Sequence, residues 1–150
     1  MNHAPAVYHP FLSDTARWLG HLGLLPFVLG ALLVWLGLDP ELHLFVTQAL
    51  SAYAALIVSF LGGIHWGLAM RHSAPPASLL LWGVVPPLLA WMAVLMQPSA
   101  GLVLQGLLLG VCYAVDRRVY PAQGVAHWLT LRFRLSAVAS LCCFLAAAGT

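Results

Sequence analysis

LHLFVTQALSAYAALIVSFLGGIHWGLAM, residues 42–70, runs without a single Asp, Glu, Lys or Arg. As a helix at ~1.5 Å per residue it reaches about 43 Å, more than the ~30 Å hydrocarbon core of a bilayer. A stretch so long and so apolar reads as a tilted membrane-spanning helix.

The flanks supply its ends. Upstream, Asp39-Pro40-Glu41 makes a helix start: Asp39 is a natural N-cap, and Pro40 takes the first helical position, where no amide donor is missed. Before it lies a first span over 14–38, with Ser13 as cap, Asp14 at the positive helix end and Trp18 at the interface. Downstream, a loop with Pro75-Pro76 leads to a third span over 78–96, interrupted by Pro86-Pro87. Each proline removes an amide donor, and the pair is expected to kink the helix. After Gln97-Pro98-Ser99 comes a fourth span over 99–115, then a polar connection from Asp116 to Gly124, then a fifth span over 128–148.

Composition agrees. Of the 150 residues, 62% are hydrophobic and 7% charged, against ~25% charged in a soluble domain. The fold class expected is all-α: one polytopic bundle of about five transmembrane helices. With so few charges, nucleic acid is excluded as a partner class. Residues 1–11 lack the basic start of a signal or transit peptide. Cys112, Cys142 and Cys143 fall at different depths or adjacent in sequence, so they read as packing thiols.

All six basic residues are Arg: Arg17, Arg71, Arg117, Arg118, Arg132 and Arg134. All fall at the end of the bundle shared by the N-terminus and the even-to-odd loops, while the opposite end holds Asp39 and Glu41. The positive-inside rule then places the N-terminus in the cytoplasm and the C-terminus in the periplasm of a bacterial inner membrane.

Polar residues inside the membrane are costly, and so informative. After Arg134 the chain offers only about 24 Å of helix, so the fifth span must begin near Trp128 and draw Arg132 and Arg134 into the membrane boundary. Asp116, at the end of the fourth span, opposes the helix dipole and needs a basic partner, for which Arg132 is the inter-helix candidate. His65 lies about 9 Å in from Arg71 by helical rise. Ser59, Gly63 and Gly67 form a small-residue stripe suited to close helix contact, and Gly106 and Gly110 make another. Alternating span direction brings His21, His65, Trp66, Tyr113, Asp116, Arg117 and Arg132 to one depth, and this polar cluster is the candidate binding site.

Around these residues the chain resembles the transmembrane protein 69 family. The resemblance rests on Leu25-Pro26-Phe27, on Tyr53 with Ser59-Phe60-Leu61-Gly62-Gly63-Ile64-His65-Trp66-Gly67, and on Trp82 with Pro86. It continues through Tyr113, Asp116-Arg117, Gly124, Trp128, Leu131-Arg132 and Leu135-Ser136. It implies a multi-span inner-membrane protein and supplies no activity or catalytic residues.

Three functions compete. The first is a non-catalytic accessory, assembly or lipid-contacting factor that meets anionic head groups, a membrane-protein partner or a second copy of itself. It takes no cofactor or metal, and no reaction signature marks an enzyme. The second is a haem- or quinone-binding redox module using His65, with His21 or His127 opposite. The third is a small transporter or proton carrier using His65, Asp116 and Arg132.

Overall fold

The computed structural model describes residues 12–37 and 39–150. Residues 1–11, expected to carry no leader, and Leu38, the expected end of the first span, lie outside the described residues.

The protein is all-helical over these residues, and five helical stretches are long and apolar enough to cross a membrane. The first consists of two helices, α1 (Asp14–Leu22) and α2 (Leu25–Val34). The others are α3 (Pro40–Ala69), α4 (Ala77–Leu95), α5 (Pro98–Ala122) and α6 (Leu129–Ala148), the last preceded by a single 3₁₀ turn, Ala126–Trp128.

The expected caps form. Ser13 Oγ accepts from the Ala16 amide at 3.2 Å, and Asp39 Oδ1 accepts from the Leu42 amide at 3.1 Å. Gly37 and Gly124, with φ of +64° and +74°, supply the left-handed turns before α3 and after α5.

Three expectations change. The first span is broken rather than continuous. Gly23 ends α1, and Pro26, in the first turn of α2, cannot donate back to Leu22. Tyr53 on α3 holds the break: its hydroxyl donates to the Gly23 carbonyl at 2.8 Å, and its ring meets Phe27 edge-on at 5.2 Å. Pro86 and Pro87, by contrast, do not interrupt α4. Pro87 deprives the Gly83 carbonyl of its amide, and that oxygen lies against the Gly62 backbone, 2.9 Å from where a Cβ would sit. This close backbone approach permits a Cα–H···O contact. Third, the segment expected as a polar connection after Val115 is helical to Ala122. Its arginines belong to one face of a continuing helix: Arg117 and Arg118 are exposed while Asp116 and Tyr120 point inward.

α3 is the central post. Its buried stripe includes Val46, Leu50, Ala54, Val58, Leu61, His65 and Leu68, and it packs on α2, α4, α5 and α6. The small-residue seam is not the expected one. Gly63, Gly67 and Gly110 have open space where a Cβ would project, whereas Gly62 meets α4 and Gly106 meets the Phe144 ring. Glycines one position apart on a helix differ by about 100° in direction, and that rotation decides which of them packs. Across α4 and α5, Gln105 donates to the Ala90 carbonyl at 3.1 Å; across α5 and α6, Ser140 donates to the Gly106 carbonyl at 3.0 Å. All three cysteines are free and buried.

Side-chain contacts gather one end of the bundle. Arg71 and His72, beyond α3, bond to Gln123 beyond α5, and Gly20 of α1 lies against Leu131 and Leu135 of α6. The starts of α1 and α6 and the ends of α3 and α5 therefore share one end, which carries every arginine.

Candidate functional site

Three helical stripes converge near the arginine end. On α5, Cys112, Asp116 and Tyr120 recur every four residues and all are buried. On α6, Arg132 and Ser136 do the same. α3 contributes His65, 1% exposed.

Asp116 is the hub, with 0% of its surface exposed. Its Oδ2 accepts from Arg132 Nε at 2.9 Å and from Nη2 at 2.6 Å. Two charge-assisted bonds onto one oxygen hold α5 and α6 together at this depth. The other oxygen, Oδ1, lies 3.5 Å from His65 Nε2. That is longer than an ordinary N–H···O bond, and both atoms are otherwise without partners. A proton on Nε2 makes the approach attractive. The second ring nitrogen, Nδ1, is 3.3 Å from the Leu61 carbonyl. The Tyr120 phenol sits beside both Asp116 and Arg132, and its ring lies 6.3 Å from that of His65. Trp82 of α4 closes the group, edge-on to His65 at 6.5 Å.

Of the seven residues expected to share a site, His65, Asp116 and Arg132 meet. Trp66 turns away from them, 41% exposed, and its indole donates to the Leu80 carbonyl at 3.0 Å. Tyr113 is half-buried against Phe133, with ring centroids 5.4 Å apart. Arg117 is exposed. His21 is also exposed, its Nδ1 lying 2.7 Å from the Arg17 carbonyl. Tyr120 and Ser136 were missed, although each lies four residues after a member of the cluster. Extending the fourth helix past Asp116 would have found Tyr120.

The geometry bears on the chemistry. A haem iron would require His65 Nε2, the nitrogen that faces Asp116, and His21 is not on that buried face. Among the described residues, no three or more His, Cys, Asp and Glu side chains are grouped to hold a metal ion. Beside the cluster lies a cavity of about 600 Å³, walled by apolar side chains of α1, α2, α3, α5 and α6. Its polar lining includes Tyr120, Arg132 and Ser136.

Over residues 12–148 the chain matches the family described as Protein of unknown function (DUF3429). It is 38% identical over 115 residues to Transmembrane protein 69 of Xenopus tropicalis, a match covering 71% of this chain and 43% of that protein. The chain therefore spans less than half the length of this relative. No solved structure matches. With all six helices inside the matched region, the chain belongs to the DUF3429 family of membrane proteins and resembles transmembrane protein 69.

Proposed function

We propose that the protein is a non-catalytic, lipid-contacting accessory or assembly factor of a bacterial inner membrane, with the arginine end cytoplasmic and the C-terminus periplasmic. One observation carries this reading. Arg17, Arg71, Arg117, Arg118 and Arg134 are exposed at one end of the bundle, while the sixth, Arg132, is consumed by Asp116. Each exposed arginine contributes ~1 kcal/mol of attraction to an anionic leaflet.

The buried cluster supports a structural role. Asp116 spends one oxygen on two arginine bonds and has no exposed surface, which disfavours it as a mobile proton carrier. A membrane partner or second copy would pack on the α3 face of Ser59, Gly63 and Gly67, where Gly63 and Gly67 leave open space.

Two experiments test the reading. A phosphatase fused after Thr150 should be active and a fluorescent protein there dark; a fluorescent fusion would reverse the orientation. In native mass spectrometry, the chain should retain phosphatidylglycerol over phosphatidylcholine, and Arg117→Gln with Arg118→Gln should erase part of that preference. Equal retention of both lipids would remove the head-group contact.

A further inference from the structure

The cavity beside the cluster has the shape of a binding site, and the head-group contact above does not use it. At about 600 Å³ it falls within the ~300–1,000 Å³ typical of small-molecule sites, which are mostly apolar with a few placed polar groups. Phe27, Ile57, Leu61 and Leu109 line its wall. Its apolar lining reaches the lipid-facing surface at Leu19 of α1 and Phe60 of α3, which are 63% and 65% exposed. α1 itself buries no residue. A chain-like molecule therefore has a lateral route from the bilayer between α1 and α3.

The polar end selects the head. Ser136 is 4% exposed, lines the cavity, and its Oγ has no hydrogen-bond partner. A buried hydroxyl left unpaired is costly, and an acceptor in the cavity would satisfy it. Arg132 lines the same region, with Nε and Nη2 on Asp116. Tyr120 also lines it, with its phenol beside Asp116 and Arg132. The polar end therefore offers one free donor among the described residues, the Ser136 hydroxyl, in surroundings without net positive charge, because the Asp116 carboxylate already cancels the guanidinium. An anionic head would gain little there and would meet the carboxylate at close range.

From this geometry we propose that the cavity binds a single neutral, carbonyl-headed, long-chain lipid, its carbonyl oxygen accepting from the Ser136 hydroxyl and its chain running out between α1 and α3. A prenylquinone and an acylglycerol share this chemistry.

The test is a titration of delipidated full-length protein in detergent with three probes: a benzoquinone carrying two isoprene units, dioleoylglycerol and oleate. Trp128 lines the cavity, so its fluorescence and native mass spectrometry both read occupancy. At least one neutral probe should bind saturably at one per chain, with little dependence on salt, and which one binds identifies the source. Ser136→Leu, which fills the head region, should weaken binding at least about tenfold. Ser136→Ala, which removes the donor and spares the fold, should weaken it about three- to tenfold. Oleate binding tightest, no saturable probe, or unchanged affinity in Ser136→Ala would each overturn the site. The neutral probes carry no anionic head group, so their outcome is independent of the phosphatidylglycerol experiment.

Discussion

At the arginine end, the bundle is closed by a buried ion pair: Asp116 against Arg132, with His65 and Tyr120 packed on the carboxylate. At the opposite end, neutral groups do the corresponding work. The Trp35 indole donates to the Leu145 carbonyl at 3.0 Å, and His43 Nε2 lies 3.2 Å from the Gly149 carbonyl. Those carbonyls belong to the final turn of α6 and the residue beyond it, which lack intrahelical donors, so Trp35, just beyond α2, and His43 of α3 finish the helix. The difference lies in what happens when a partner is lost. A backbone carbonyl near the membrane interface finds water; a buried guanidinium does not.

Breaking the ion pair should therefore have the largest effect. Asp116→Ala leaves Arg132 uncompensated and should cost about 3–5 kcal/mol, seen as a large fall in the thermal midpoint of the detergent-solubilised protein. Asp116→Leu combined with Arg132→Met removes both charges and should recover most of that loss. A double variant as unstable as the sum of its single changes would show that the pair is not coupled.

The α3–α4 seam between the two ends comes next. A Cβ on Gly83 would collide with the Trp66 indole, and one on Gly62 would meet Pro87 at 2.9 Å. Gly83→Ala should cost about 1–3 kcal/mol through overpacking, whereas Gly63→Ala, with open space, should leave the midpoint nearly unchanged. Equal effects at the two glycines would contradict the assigned helix rotation.

At the neutral end, Trp35→Phe keeps the ring and loses the bond to Leu145, an expected cost of about 0.5–1.5 kcal/mol. Hydrogen exchange of the last turn of α6 should rise locally while the cluster around Asp116 keeps its protection. The smallest effect belongs to Arg117→Gln, an exposed change expected within about 0.5 kcal/mol. A loss comparable to that of Asp116→Ala would mean that Arg117, and not Arg132, carries the ion pairing.

Much of this was legible in the residues. The run 42–70 determined a spanning helix, the arginines determined which termini and loops share an end, and the His-Trp-Gly segment pointed to the family. Asp116 had to find a cation because a carboxylate at a membrane depth is costly in any fold. What misled was local polarity. Arg117 and Arg118 make residues 116–124 read as a connection, and so hide Tyr120. Leu25-Pro26-Phe27 was noted as a motif without revealing that it breaks the first span, since the bond that steadies the break comes from Tyr53, far along the chain.

Hydrophobic length, cap residues and charge asymmetry are properties of single segments against bilayer and water, so the sequence by itself determined the number of spans and the helix starts at Ser13 and Asp39. Rotation of each helix about its own axis depends on every neighbour at once. In lipid an apolar face costs nothing wherever it points, so composition carries little record of that rotation. Only the tertiary structure decided that Gly62 and not Gly63 meets α4, that Trp66 and His65 diverge, and that Ser136 and Tyr120 border one cavity.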